Sequence, residues 1–507
     1  MKLSLKLFLF LNIIITVSSC NSQDETRRPN IIFLMADDQA SYTLGCYGNE
    51  DVKTPNIDKL SSMGVTFDHN YATTAICMAS RATVMTGLLE YRTGTNFLHG
   101  PMKQETWDQS YPVLLRQAGY TTAFAGKFGF EIQKETEENA IMPEADFDAW
   151  AGGSAQTSYD TKKNKALLKY AEKYPHSTLA YGAFGSDFIK SSVQKNEPFC
   201  LSISFKAPHR PTTPDPRFNA VYKGKTFEKP GNYGREFGEH FSKQSKQGRQ
   251  YPRFFDWHYN DKYDQVMATY NQQIYGIDQA VGMIIETLKK TGADKNTVII
   301  YTSDNGFFCG SHGYGSKVLP YEESSKVPLI IYDPRHPNSN KGFRSKALTG
   351  NIDIAPTILS LAGLNSKEKI DGKNIMPLYN NPNEEIHNTM ALINVWGPSE
   401  THSLSIVSKN YKYIYWGFAD EGYAATEELY HLKNDPLELE NVADSPKHKE
   451  YLINLQNDYD ERVKSWKAKA VNYNNYRRYS ALFDRSITWN EKKSFVYDLE
   501  ENYKKKH

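Results

Sequence analysis

Cysteine is scarce in this chain: five residues, Cys20, Cys46, Cys77, Cys200 and Cys309, among 507. They share no framework spacing, so disulfides do not staple the fold and a packed hydrophobic core has to carry it. An excess of either charge is missing as well. Sixty Lys and Arg stand against 59 Asp and Glu, a formal net charge of +1, which removes the case for nucleic acid as a partner. A membrane-spanning run is also lacking: the apolar stretch Leu7 to Val17 is shorter than the roughly 20 residues a span needs. What is present is an ordinary globular composition, long enough for about two domains. Tyrosine is abundant, at 34 residues, which suits aromatic packing or a surface that stacks against sugars.

The first residues read as a processing signal. Lys2 and Lys6 form a basic n-region, Leu7 to Val17 an apolar h-region, and Val17-Ser18-Ser19-Cys20 the boundary. That boundary resembles a bacterial lipoprotein box. Cleavage before Cys20 would leave that residue to carry the lipid; plain cleavage beside an incidental cysteine is the competing reading. Residues 1–19 are therefore expected to be signal peptide and 20–28 a polar tether. The protein is expected to be exported and held in the bacterial cell envelope, at the periplasm or the cell surface, touching the membrane only through its lipid.

Downstream, buried-type strands end in polar side chains. Asn30 to Ala36 is a short apolar run followed at once by Asp37-Asp38. It predicts a buried parallel strand, and ligands in open α/β sheets sit outside the carboxyl ends of strands. Two adjacent carboxylates there suit a hard cation; a solvated acidic turn is the plainer alternative. Val298-Ile299-Ile300-Tyr301 predicts a second such strand, delivering Asp304-Asn305-Gly306. Gly119 to Lys127 reads as a turn and a strand with Lys127 at its end. Phe199 to Phe205 reads as another, running into Lys206-Ala207-Pro208-His209-Arg210-Pro211, where prolines hold His209 at the strand mouth. A lone histidine is more often structural, so the role of His209 depends on its company.

Helical spacing is clear over Met267 to Lys290, which Gly292 ends, and begins at Thr54 to Leu60. Polar helices are expected around Thr161 to Tyr174. Pro214 to Tyr263 is a long insertion rich in basic and aromatic residues, either a solvated loop or a substrate wall. The polar stretch Asn380 to Asn388 marks a domain boundary. Beyond it, Ser403–Val407 and Tyr411–Trp416 predict antiparallel strands joined at Lys409-Asn410, with a helix over Pro446 to Ala468. The tail from Val471 to His507 has no clear period and is expected to wrap back over the main domain.

The remaining stretch, Cys77-Met78-Ala79-Ser80-Arg81 followed by Thr86-Gly87, places a thiol one step before a predicted helix starting near Ser80. A helix N-terminus carries free N–H groups and partial positive charge, so an anion is favoured beside it. A buried structural cysteine is the bland alternative. The pattern resembles the signature of the type I, formylglycine-dependent sulfatases of the alkaline phosphatase superfamily, bacterial polysaccharide sulfatases in particular. Gly119 to Lys127 resembles their second signature, and Pro208-His209-Arg210-Pro211 their Pro-His-x-Pro segment. The segment from Ser303 through Gly310-Ser311-His312-Gly313, Lys317 and Tyr321-Glu322-Glu323 to Ile331 tracks the family closely. Asn351 to Thr357 and Asp371-Gly372 continue it, so that the resemblance spans residues 28 to 445. Several motifs in the right order are a far stronger signal than one. One position departs: where the family usually has a histidine two residues after the lysine, Lys127-Phe128-Gly129 has a glycine.

The resemblance implies an α/β fold, an alkaline-phosphatase-like mixed sheet sandwiched by helices, with a catalytic domain at 29–380 and a smaller α+β subdomain and tail at 388–507. It implies that Cys77 is converted to formylglycine (3-oxoalanine) by a maturation enzyme. With Cys20 lipidated and Cys77 modified, three cysteines remain, an odd number. Asp37, Asp38, Asp304 and Asn305, with the residue at 77, would hold Ca²⁺, or failing that Mg²⁺. Arg81, Lys127, Lys317 and His209 would surround the remaining charge. One hydroxyl of the hydrated aldehyde would attack sulfur, His209 would protonate the leaving alcohol, and the second hydroxyl would expel sulfate. His312 is placed either at the rim or in loop packing. The implied substrate is a sulfated carbohydrate: algal ulvan or carrageenan first, glycosaminoglycan second. Two other readings stand beside it. One is a phosphonate or phosphodiester hydrolase of the same superfamily, which tends to carry additional metal-binding histidines. The other is a lipid-anchored glycan-binding protein without catalysis.

Overall fold

The structure, a computed structural model, describes residues 28–506 apart from 136, 367, 368 and 421. The expected signal peptide and lipidated Cys20 lie outside the described residues. Among the described residues no helix is long and apolar enough to cross a membrane.

An eight-stranded sheet forms the centre. In chain order its strands are β1 (Asn30–Asp37), β2 (Val65–Tyr71), β4 (Thr121–Lys127), β6 (Ala149–Gly153), β7 (Phe199–Pro208), β8 (Thr297–Ser303), β9 (Leu329–Tyr332) and β10 (Phe343–Gly350). Two short strands, β3 (Met102–Lys103) and β5 (Ile132–Gln133), pair with each other. The large sheet runs β10-β2-β9-β8-β1-β7-β4-β6. Every pairing is parallel except those of β9, which is antiparallel to both its neighbours.

β1 shows why a continuous apolar run sits in the middle. Ile32, Leu34 and Ala36 face one core, with the helices Ser177–Lys195 and Tyr263–Thr291. Ile31, Phe33 and Met35 face the other, with the helices Tyr111–Gln117 and Ile354–Leu361. Both faces of a strand are buried when helices cover both sides. Each large apolar side chain so enclosed contributes about 1.5–3 kcal/mol.

The second sheet is antiparallel: β11 (Thr389–Asn394), β12 (Ser403–Ser408), β13 (Lys412–Trp416) and β14 (Thr426–Tyr430), in sequence order. The two expected strands are there, with two more around them. Ile393 of β11 donates its N–H to Thr73 O at 2.8 Å, which fastens this sheet to the loop leading into Cys77.

Several expectations change in detail. Thr161 to Tyr174 forms only short 3-10 turns; the long helix lies just after it, at Ser177–Lys195. The insertion after Pro214 is not a solvated loop, since Phe227, Asn232, Phe241, Gln244, Phe254 and Tyr259 within it are buried. The tail is helical, over Tyr476–Phe483 and Trp489–Lys506. It does return to the main body, where Tyr476 Oη donates to Glu90 Oε1 at 2.5 Å.

Candidate active site

Four neighbouring parallel strands, β8, β1, β7 and β4, deliver the site to one rim. β8 ends before Asp304-Asn305, β1 ends in Asp37 followed by Asp38, β7 is followed directly by His209, and β4 ends in Lys127. The helix Cys77–Thr86 points its N-terminus at the same rim. Cys77 is its first residue, not one step ahead of it, with Ile76 as the cap. All the expected site residues therefore meet.

The charges interlock. Lys127 Nζ lies 2.6 Å from Asp37 Oδ2. Arg81 Nη2 lies 2.8 Å from Asp304 Oδ2 and 3.5 Å from Asp37 Oδ2. Lys317 Nζ pairs with Asp38 Oδ1 and donates to Cys77 Sγ at 2.7 Å, while the thiol itself reaches Asp37 Oδ1 at 3.3 Å. Asp37, Asp38, Cys77, Arg81, Lys127, Asp304, Asn305 and Lys317 are all buried. Removing ions from water costs several kcal/mol each, so a cluster this dense is a site built for charge.

Protonation follows from this packing. Burial would raise Asp37, but Lys127, then His209, Arg81 and Lys317, outweigh it and hold the carboxyl well below its usual range. Burial, and next the Asp37 carboxylate, push Asp304 up to about 6. Burial and Asp37 likewise push the Cys77 thiol up to about 12. A thiol held protonated is a poor nucleophile, so Cys77 in its encoded form does not suit the attacking role.

His209 sits at the edge, its side chain 20 % exposed, with Nε2 3.7 Å from Asp38 Oδ2. Its Nδ1 lies 2.5 Å from Arg210 O. A carbonyl only accepts, so Nδ1 carries the hydrogen and Nε2 is the position left to exchange a proton. Tyr159 Oη fixes this turn, donating to His209 O at 2.7 Å.

The donor set fits a hard cation. Asp37, Asp38 and Asp304 with Asn305 offer oxygen only, the chemistry Ca²⁺ and Mg²⁺ take. Asn305 Nδ2 donates to Asp38 Oδ1 at 2.8 Å, and its Oδ1 is buried without a hydrogen-bond partner among the described residues. A buried carbonyl oxygen without a donor is costly unless something positive meets it. Ligand atoms of Asp37, Asp38, Cys77 and His209 lie within 4.8 Å of one another. Asp304 is turned toward Arg81 and the Asp38 amide, which it accepts at Oδ1 at 3.2 Å.

The general sulfatase family model matches residues 29–364. The chain belongs to the sulfatase family. It is a sulfuric ester hydrolase of the alkaline-phosphatase-like fold, and a second family model, "N-sulphoglucosamine sulphohydrolase, C-terminal", matches residues 310–485. The N-acetylglucosamine-6-O-sulfatase of Bacteroides thetaiotaomicron is 28% identical, over 89% of this chain and 90% of that protein. An ulvan-active sulfatase of Formosa agariphila is 25% identical over 75% and 70%. A solved structure of a protein in complex with its substrate, D-glucosamine-2-N,6-O-disulfate, has TM-score 0.74 at 26% identity, covering 87% of this chain and 99% of that one. The phosphonate monoester hydrolase of Agrobacterium radiobacter, with TM-score 0.70 at 21% identity over 89% and 97%, shares the fold.

This sulfatase departs from its signature at Gly129, and the geometry shows what fills the gap. Gly129 has φ +94°, and a Cβ there would stand 2.6 Å from Arg81 Cδ. The Arg81 side chain passes through that volume to reach Asp304, Lys127 O at 2.5 Å and Ser204 Oγ. His312 is not at the rim. It is buried between Phe237 O and the Asn232 amide, 2.8 Å from each, and packs the loop. Positioning residues with no sequence signal are Ser204, Tyr159 and Tyr270, whose Oη donates to Asp38 O at 2.5 Å. A tyrosine inside the Tyr263–Thr291 periodicity reads as core.

Proposed function

We propose that this sulfatase removes sulfate from a sulfated glycan through a nucleophile made from Cys77. The observation that carries this is Lys317 Nζ bridging Cys77 Sγ, at 2.7 Å, and Asp38 at the base of a charged pit whose thiol is held protonated. Oxidation of Cys77 to formylglycine by a maturation enzyme would supply a hydrated aldehyde with a hydroxyl nucleophile. Asp37, Asp38, Asp304 and Asn305 would hold Ca²⁺ ahead of Mg²⁺, which would neutralise charge on the sulfate oxygens.

The chain's own groups complete the task. Three carboxylates, Asp37, Asp38 and Asp304, balance three cations, Arg81, Lys127 and Lys317, so an added divalent ion leaves positive charge for a sulfate ester. Positive groups fixed before the reaction stabilise charge without reorganising, usually the largest catalytic term. Lys317 and Lys127 orient the side chain at 77 and the bound sulfate. Arg81 holds Asp304 and Asp37 in place. His209 would deliver a proton to the leaving oxygen from Nε2 in its imidazolium form, with Nδ1–H still held by Arg210 O.

The glycan is a sulfated glucosamine unit first and an algal polysaccharide such as ulvan second. Similarity to the N-acetylglucosamine-6-O-sulfatase covers more of the chain than similarity to the ulvan-active protein, which reverses the order expected from the sequence. We place the protein, lipidated at Cys20, in the bacterial envelope, with a catalytic domain at 29–380 and a C-terminal subdomain from 388. Free sulfate is the test. Protein produced with a maturation enzyme should release it from N-acetylglucosamine-6-sulfate faster than from ulvan or carrageenan oligosaccharides. Chelator should abolish release and Ca²⁺ restore it. No release from any of these sugars would overturn the reading.

A further inference from the structure

The buried pit opens between two arginine–aromatic stacks that the chemistry above does not use. Arg210 follows His209, and its Cζ lies 4.4 Å from the Trp257 ring centroid. Arg253 places its Cζ 4.3 Å from the same ring and donates from Nη1 to Ser316 Oγ at 2.9 Å, one residue before Lys317. Further round the rim, Arg249 Cζ lies 4.0 Å from the Trp396 ring. Trp396 packs with Ile76 and Val318, the sequence neighbours of Cys77 and Lys317. Two chain segments, at 210 and 249–253, thus bring three guanidinium groups to one mouth, held on the rings of Trp257 and Trp396.

Like charges gathered at a mouth repel unless an anion joins them. Arg210, Arg253 and Trp257 are half-buried, and neither Arg210 nor Arg253 forms an ion pair among the described residues. Burial, then Arg249, lower Arg253 to about 10, with Arg210 adding to the effect and Asp38 opposing it. A guanidinium stacked on an aromatic face keeps its in-plane N–H edge for a planar or tetrahedral oxyanion.

Resting on the sulfatase reading of the pit, we propose that Arg210, Arg249 and Arg253, held on Trp257 and Trp396, form a second anion subsite. It takes a further sulfate group on the substrate while the scissile sulfate enters the pit. The preferred substrate is then a polysulfated sugar rather than a monosulfated one.

Calorimetric titration of the full chain with Cys77 unconverted, in calcium buffer, reads binding without turnover. The probes are glucosamine-6-sulfate and glucosamine-2-N,6-O-disulfate. The disulfated sugar should bind about tenfold or more tightly, the scale of one charge-assisted contact. Arg210→Gln and Arg253→Gln should each remove most of that preference, Arg253→Lys should keep part of it, and Lys467→Gln, on an exposed helix face, should leave it intact. Equal affinity for the two sugars, binding of neither, or a preference that survives both glutamine variants would overturn the subsite. Hydrolysis of 4-nitrophenyl sulfate by the matured protein reports the catalytic reading separately. Its absence beside an intact binding preference would count against the pit's chemistry and in favour of the subsite.

Discussion

Gly129 and Arg81 are forty-eight positions apart in the chain, yet each explains the other. The left-handed backbone at 129 costs an L side chain about 1 kcal/mol or more, and the missing Cβ is the room through which Arg81 reaches Asp304. Gly129→Ala should therefore push Arg81 off its carboxylates. We expect kcat to fall tenfold or more and stability by about 1–3 kcal/mol, read from steady-state rates and thermal unfolding. Unchanged kinetics would mean that Arg81 is not held by that space. The sequence revealed the departure at 129 but not its partner. Asp37, Asp38, Lys127, His209, Asp304 and Asn305 were legible because each ends or follows a short apolar strand. A contact across two such segments leaves no periodic trace.

The segment carrying Lys317 is strained. Cys309, His312, Ser316 and Val318 all have positive φ, and Val318 is β-branched at +91°. Residues held this way cost about 1–3 kcal/mol each and persist only where surrounding structure enforces them. Part of that enforcement comes from the second sheet. Lys412 of β13 lies 2.8 Å from both Glu322 Oε1 and Glu438 Oε1, all three buried. Against burial, Lys412 and then Lys326 bring Glu322 down to about 2, whereas burial carries Glu438 up to about 8. Lys412→Ala would leave buried carboxylates without their cation and should cost about 3–5 kcal/mol. A matching drop in thermal midpoint checks it, and a loss below 1 kcal/mol would contradict it. Of the elements, the parallel strands and the Tyr263–Thr291 helix were readable from their long apolar patterns. Ser177–Lys195 was not, because it buries small residues, Ala180, Gly182, Ala183 and Gly185. These give little hydrophobic contrast while letting two helices approach closely.

Over the whole molecule, the C-terminal tail packs on the short helix Glu90–Thr93 that follows the signature, and the buried groups of the C-terminal region link stability to acidity. His402 is fully buried, and burial lowers it to about 4 from an ordinary 6.5. The unfolded chain takes up the proton first as pH falls. The contribution is therefore fully present above about pH 6.5 and is lost toward pH 4, amounting to about 3 kcal/mol. Denaturant titrations at pH 7.5 and 4.5 should show His402→Leu losing about 2–3 kcal/mol less than the native chain. Equal losses would contradict this. The two-sheet organisation was anticipated from the polar break near Asn380 and the paired strands after it. The helical tail was not, because Tyr476–Phe483 buries its aromatic face against partners that only the main body supplies.

The claim on which the rest depends is that Cys77 is remade before it works, since a buried thiol raised to about 12 does not attack sulfur. The direct measurement is the mass of the peptide spanning Cys77, from protein made beside a formylglycine-generating enzyme. A peptide that has lost its sulfur and gained an aldehyde oxygen, in protein that releases sulfate, is the predicted result. An intact thiol at Cys77, from a host that converts other sulfatases, would contradict it.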